Sequence, residues 1–125
     1  MAGWIGCDLD GTLAFYDTWS DGEIGAPIPA MVDRVKAWLS IGQEVRIMTA
    51  RVGICEGENA DGQAATALFA SQQERLIKAW CLRHLGKILP VTASKDFEMI
   101  ELYDDRCRQV IKNTGEVVGV RCENG

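Results

Sequence analysis

Carboxylates and other polar side chains recur where short apolar runs of this chain end. Asp8 and Asp10 follow the apolar run Trp4–Cys7, and Gly11 and Thr12 then break the strand pattern. Two carboxylates one residue apart at a strand end repel each other and lose solvation, so a bound cation would offset them. The polar residues placed at or just after predicted strand ends are Asp8, Asp10, Thr49, Lys95, Asp104 and Asp105. Together they predict one site.

The chemistry of this set is that of a phosphate-binding metal site. Oxygen ligands without clustered imidazoles suit a hard cation such as Mg²⁺, which binds one or two protein carboxylates together with substrate phosphate. One carboxylate can attack phosphorus to form an aspartyl-phosphate, while a second protonates the leaving group and later activates water. For Asp105 alone, capping of a following helix is an equally good interpretation.

Alternating strand and helix patterns would place these residues at one edge of a sheet. Trp4–Cys7 predicts a buried first strand, an amphipathic pattern with Pro29 in its first turn predicts a helix ending at Gly42, and residues 44–49 predict a second strand. A strand-helix-strand unit is right-handed and gives parallel strands. Ligands of parallel sheets bind outside the carboxyl ends of the strands.

The later elements continue this alternation. They are a second long helix ending before Gly86, strands over 88–92 and 99–103, a helix over 105–112 and a fifth strand over 117–120. Pro90 favours an edge position for the third strand. Residues 51–66 contain three glycines but lack the lysine of a phosphate loop, so we interpret them as a connector. The alternation predicts an α/β layered fold.

Composition restricts the class of protein. A chain of 125 residues with 47% apolar content fits one domain, and its net charge of -5 argues against broad binding to nucleic acid or anionic membranes. No basic leader or apolar stretch of about 20 residues is evident, so we expect a cytoplasmic protein that does not bind membranes. The five cysteines lack C-x-x-C spacing and are expected to be free thiols.

Residues 14–28, here called the flap, are rich in turn-forming residues and should lie above the end of the first strand. Tyr16 and Trp19 either cover a small core within the flap or contact a ligand. Cys7 should point away from Asp8, on the opposite face of the strand, and serve packing. His84 lies where the second long helix should end, so a capping role is expected.

Four short motifs resemble those of the haloacid dehalogenase superfamily of phosphohydrolases, in the family's order. The segment from Asp8 to Leu13 reads D-L-D-G-T-L, like the first family motif D-x-D-G-T-L. Thr49 after its apolar strand resembles the second motif, Lys95 the third, and the acidic pair following Tyr103 the fourth. The first motif is the most specific, while the others gain weight from their order and position.

The resemblance implies a Rossmann-like three-layer sandwich with a mainly parallel five-stranded sheet. It also implies a role for each residue of the predicted site. Asp8 would be the nucleophile and Asp10 the general acid and base, Thr49 and Lys95 would bind phosphate, and Mg²⁺ would be held by Asp8, Asp104, Asp105 and the Asp10 main-chain carbonyl.

The flap is short and the third motif follows its strand closely, so the chain has no room for the family's cap domains. An open site suits phosphate on a large molecule, such as a nucleic-acid end or a protein, or closure by another subunit of a homo-oligomer. Arg51 and Arg106 complete T-A-R and D-D-R sequences similar to those of the phosphatase domain of polynucleotide kinases, which implies that Arg51 binds phosphate. Alternatively, Arg51 pairs with a neighbouring carboxylate.

The expected function is therefore a Mg²⁺-dependent phosphatase acting on phosphomonoesters. A polynucleotide 3′-phosphatase is the alternative within that class. A non-catalytic module that resembles receiver domains and binds phosphate and Mg²⁺ is the alternative from another class, although receivers lack the D-x-D-G-T turn.

Overall fold

The structure is a computed structural model that describes residues 2–54 and 60–119, with side chains described for 2–54 and 67–119. The elements within these ranges are β1 (Trp4–Cys7), α1 (Pro29–Ser40), β2 (Glu44–Met48), a single 3₁₀ turn (Ala50–Val52), α2 (Ala60–Leu85), β3 (Val91–Thr92) and β4 (Met99–Tyr103). The mixed α/β class predicted from the sequence is confirmed.

The four described strands form one sheet in the order β3-β2-β1-β4, and every pair is parallel. The predicted bounds of β1 and β4 are confirmed, and the second strand ends one residue earlier than predicted. The short strand β3 lies at an edge, as Pro90 indicated. Its main-chain pairing is limited to Ile47↔Val91 and Met48↔Thr92.

The hydrophobic core lies between the two helices and one face of the sheet. Pro29 occupies the first turn of α1, where its missing N–H is harmless, and the helix buries Met31, Val32 and Val35. Those side chains join Ile47 and residues of α2 in one buried cluster. Gly42, with φ +83°, then turns the chain into β2.

Within the described residues the fold has two layers rather than the predicted three. The opposite sheet face carries Trp4, which the guanidinium of Arg46 covers at 4.5 Å from the ring centroid. The connection from β3 to β4, residues 93–98, crosses this face and is fastened by Asp96, whose Oδ1 accepts a hydrogen bond from Trp4 Nε1 at 2.8 Å. A connection this short leaves no room for a covering helix.

The predicted helix over 105–112 is wrong, and so is the fifth strand as far as it is described. This region contains turns and an isolated antiparallel bridge between Val110 and Val117, while position 120 lies outside the described residues. Asn113 and Gly115 adopt positive φ and reverse the chain, so the main-chain N–H groups find partners across the turn rather than along a helix. The sheet therefore has four described strands, not five.

The predicted connector over 51–66 is also wrong at both of its described ends. Its beginning belongs to the 3₁₀ turn, and α2 already starts at Ala60; positions 55–59 lie outside the described residues. The glycines that suggested an irregular segment did not prevent helix formation at 60–66. In the part of the chain that is described, neither helix combines the length and apolar character needed to cross a membrane.

Candidate metal and phosphate site

The carboxyl ends of three neighbouring strands meet at one cavity. Asp8 directly follows β1 and Thr49 follows β2, while Asp104 and Asp105 follow β4. Because these strands are parallel and β1 lies between the other two, their polar ends meet at the same edge. All four side chains, together with Asp10, line a cavity of about 820 Å³.

Asp8, Asp104 and Asp105 form an acidic cluster. Each offers one carboxylate oxygen, and these oxygens lie within 4.8 Å of one another. Burial is the main cause that raises the pKa of Asp8 to about 7, followed by repulsion from Asp104 and a hydrogen bond with Asp105. Hard oxygen ligands with uncompensated negative charge are the donor set that Mg²⁺ prefers, so the cluster fits such an ion.

The turn after β1 brings Asp105 to the cluster. The Leu9 carbonyl accepts hydrogen bonds from the N–H groups of Leu13 and Ala14 at 3.0 and 2.9 Å, which closes the turn. Thr12 then holds Asp105 twice: its hydroxyl donates to Asp105 Oδ1 at 3.1 Å and accepts from the Asp105 N–H at 3.0 Å. The D-G-T sequence therefore positions a carboxylate from the far end of the chain.

Gly11 is required in this turn for two physical reasons. Its φ of +88° is strained for any residue with a side chain. A Cβ built there would also lie 2.6 Å from Asp105 Oδ2. Asp105 can approach the turn only because residue 11 has no side chain.

The interpretation of Asp105 as a helix cap is wrong, because turns and the isolated bridge replace the helix that it would cap. The neighbouring carboxylate has a local partner: Asp104 Oδ1 accepts a hydrogen bond from the Arg106 N–H at 2.8 Å. This contact fixes the direction of Asp104 while leaving its other oxygen available to a ligand.

Asp10 stands apart from the acidic cluster in a partly buried ion pair with Arg51. Arg51 Nε donates to Asp10 Oδ2 at 2.7 Å, and Nη2 donates to Oδ1 at 2.8 Å. Nη2 also donates to the Glu23 carbonyl at 3.1 Å, and Nη1 donates to the Gly22 carbonyl at 2.8 Å and to Gln73 Oε1 at 2.7 Å. These five bonds use all five guanidinium N–H groups.

Arg51 thus adopts the carboxylate-paired arrangement, not the phosphate contact implied by the T-A-R sequence. Its side chain is only 4% exposed. With every N–H bound to the protein, it has no donor left for a phosphate oxygen. It joins the turn after β1, the flap and α2 instead.

Of the two other predicted phosphate contacts, Thr49 lies at the cavity and Lys95 does not. Thr49 is buried, and its Oγ1 accepts a hydrogen bond from the Arg51 N–H at 3.2 Å. Lys95 is exposed and is not part of the cavity wall. The reason is the adjacent Asp96, whose hydrogen bond with Trp4 holds this connection away from the carboxyl edge.

The sequence predicted no role at the site for Gln73 and Phe69, and it left the role of Trp19 undecided. Gln73 is buried and binds Arg51; a polar residue at helical spacing from the apolar residues of α2 was the signal available in the sequence. Phe69 and Trp19 line the cavity, with ring centroids 5.9 Å apart. Nothing in the local pattern of α2 distinguished Phe69 from core residues.

Cys7 and His84 lie outside the site. Cys7 is fully buried in the core as predicted, and burial raises the pKa of its thiol to about 12. The described cysteines, Cys7, Cys81 and Cys107, are free thiols as predicted, while Cys55 and Cys122 lie outside the described residues. His84 is in the last turn of α2, with its ring centroid 4.7 Å from that of Trp80.

Comparisons of the chain with protein-family models, curated proteins and solved structures found no match.

Proposed function

We propose that this protein is a Mg²⁺-dependent phosphatase that hydrolyses phosphomonoesters through an aspartyl-phosphate on Asp8, as in the haloacid dehalogenase superfamily. The observation that carries the proposal is the acidic cluster: Asp8, Asp104 and Asp105 offer oxygens within 4.8 Å of one another at a cavity. Asp10 lines the same cavity apart from that cluster, where both of its carboxylate oxygens bind Arg51. The two carboxylates of the first motif are thus divided between two environments.

Mg²⁺ would be held by the carboxylates of Asp8, Asp104 and Asp105, with the Asp10 main-chain carbonyl as a further expected ligand. When bound, the ion supplies positive charge that offsets these carboxylates and the phosphate oxygens. Thr49 supports phosphate binding from the protein side. Because its oxygen already accepts the Arg51 N–H, its hydroxyl proton is directed to another acceptor, for which a phosphate oxygen is suited.

In the first step an ionised oxygen of Asp8 attacks phosphorus, and the bond from phosphorus to the leaving-group oxygen breaks. Asp10 gives its proton to that oxygen. In the second step Asp10 takes a proton from water, whose oxygen attacks phosphorus. The bond from phosphorus to Asp8 breaks, which releases inorganic phosphate and restores the Asp8 carboxylate.

The Arg51 contact is compatible with proton transfer by Asp10. Arg51 uses one lone pair on each Asp10 oxygen, and each oxygen keeps a second one. Asp10 can therefore carry a proton while both hydrogen bonds from Arg51 persist, although the carboxyl group is then neutral and the contact is no longer an ion pair. The pair fixes the orientation of the carboxyl group, which is what general acid and base catalysis needs.

Hydrolysis of an aryl phosphate in the presence and absence of Mg²⁺ tests this proposal. Asp8→Asn should lower turnover by about three orders of magnitude or more, because the amide is not a nucleophile. Asp33→Asn, which removes an exposed carboxylate on α1, is the matched control and should retain turnover. Circular dichroism checks that both variants fold.

Turnover retained by Asp8→Asn would overturn the proposal. Stable labelling of Asp8 by a small phosphodonor, without release of phosphate, would instead identify a phosphate-binding module of the receiver type.

A further inference from the structure

Three aromatic side chains line the same cavity as the catalytic carboxylates proposed above. Tyr16 and Trp19 come from the flap and Phe69 from α2. They remain 44%, 45% and 40% exposed, respectively. Side chains that only covered a core within the flap would be buried, whereas these leave apolar ring surface facing the space next to Asp8.

Trp19 packs against two side chains that belong to other segments of the fold. The Cζ atom of Arg51 lies over its ring, 4.8 Å from the centroid, and the Phe69 ring packs against it with a tilt of 48°. Arg51 is itself fixed by five hydrogen bonds to the turn, the flap and α2. The Trp19 and Phe69 rings are therefore supported by the fold before a ligand arrives, which lowers the entropy lost when a ligand packs against them.

We propose that the substrate is a phosphomonoester whose leaving group carries a planar aromatic ring system, as in a nucleoside monophosphate. This inference rests on the phosphatase function proposed above. With the phosphate at the acidic edge, the leaving group extends into the remainder of a cavity of about 820 Å³, whose wall includes the three rings. A planar π system stacks on such rings, while a small polyol gains little from them.

Charge favours a mononucleotide over the end of a nucleic-acid strand. The chain has a net charge of -5, and a strand beyond the cavity would need clustered cations along its backbone. Two arginines line this cavity: Arg51 is already neutralised by Asp10, and Arg106 alone is not the cluster of cations that a strand needs. A mononucleotide, whose single phosphate binds at the metal site, does not need a row of basic side chains along its backbone.

The test compares kcat/KM for adenosine 5′-monophosphate and glycerol 3-phosphate in the full chain with Mg²⁺. The wild type should prefer the nucleotide by about 10-fold or more, the effect of one stacked ring. Trp19→Leu should lower kcat/KM much more for the nucleotide than for glycerol 3-phosphate and so remove most of that preference, and Trp19→Phe should restore part of it. Phe15→Leu is the matched control, because Phe15 is an exposed flap aromatic outside this cavity.

Equal kcat/KM for the two substrates in the wild type would overturn the inference and leave the phosphatase function standing. Equal losses on both substrates in Trp19→Leu and Phe69→Leu would also overturn it, since the rings would then serve only the fold. A 3′-phosphorylated oligonucleotide hydrolysed faster than the mononucleotide would overturn the choice of substrate.

Calorimetric binding to the wild type with Mg²⁺ tests the inference if the protein turns over neither substrate. Binding of adenosine 5′-monophosphate that is lost in Trp19→Leu would show that the phosphatase function fails alone. Equal binding of both phosphate compounds, or binding of neither, would overturn the inference as well.

Discussion

The guanidinium of Arg51 binds both carboxylate oxygens of Asp10, with Nε 2.7 Å from Oδ2 and Nη2 2.8 Å from Oδ1. The same side chain binds two flap carbonyls and Gln73 of α2. One nearly buried residue therefore joins three separate segments around the proposed proton donor. Its hydrogen bonds hold Asp10 and the flap in place, so we propose that it is a positioning residue.

Arg51→Lys tests this role. Lysine keeps the charge but loses the planar fork, so most of the five hydrogen bonds disappear and buried acceptors lose their partners. We expect the free energy of unfolding to fall by about 2 to 3 kcal/mol, as measured by urea denaturation. Arg75→Lys, an exposed position on α2, is the matched control. Equal stability of the two variants would contradict the anchoring role.

The raised pKa of Asp8 makes stability depend on pH. Its folded pKa of about 7 exceeds its ordinary value of 3.8, so the folded state binds more protons between these limits. Stability should therefore fall as pH rises from about 4 to about 7. Asp8→Asn removes the cost of ionising this carboxyl group in the folded state. At pH 8 the variant should therefore be more stable than wild type by about 1 to 2 kcal/mol, a figure discounted for solvent screening. Near pH 4 the two proteins should not differ in this way.

Thermal unfolding of both proteins across this pH range checks the prediction. Asp33→Asn should follow the wild-type profile, since its side chain is exposed on α1. A stability difference between wild type and Asp8→Asn that does not change with pH would argue against the raised pKa.

Mg²⁺ should stabilise the protein, and more strongly at pH 8 than at pH 5.5. At ten times its Kd a ligand of the folded state adds about 1.4 kcal/mol to the free energy of unfolding. Binding needs ionised Asp8, whose pKa is about 7, so protons compete with the metal. Asp104→Asn should weaken the shift in Tm. A shift of equal size at both pH values would place Mg²⁺ elsewhere.

Gly11→Ala and Gly42→Ala form a matched pair for the turn after β1. Both glycines have similar positive φ values, +88° and +83°, so the backbone penalty should be similar, about 1 kcal/mol. Only Gly11 has a neighbour in the way, because its Cβ would lie 2.6 Å from Asp105 Oδ2. We expect Gly11→Ala alone to lose Mg²⁺-dependent stabilisation, measured as the shift in Tm.

Local patterns in the sequence were sufficient for the central strands and for the acidic strand ends. The patterns of β1 and β2, the two central strands, are typical of strands, and the right-handed βαβ unit that joins them brings their carboxyl ends together. Asp8, Asp10, Thr49, Asp104 and Asp105 were therefore expected at one edge, and they line one cavity there. The one-residue alternation of a strand also placed Cys7 on the core side.

Tertiary structure alone decided which partners these residues have. The hydrogen bonds of Arg51 depend on Gln73 and on flap carbonyls, which are distant in sequence. No local spacing of residues predicts that these groups meet. Lys95 leaves the edge because Asp96 binds Trp4 across the sheet. The number of layers depends on the same connection, since its length and path determine what covers that face. Local spacing is enough to place the carboxylates at the strand ends, whereas packing between distant segments decides that, among the described residues, Arg51 pairs with Asp10 and not with Asp8.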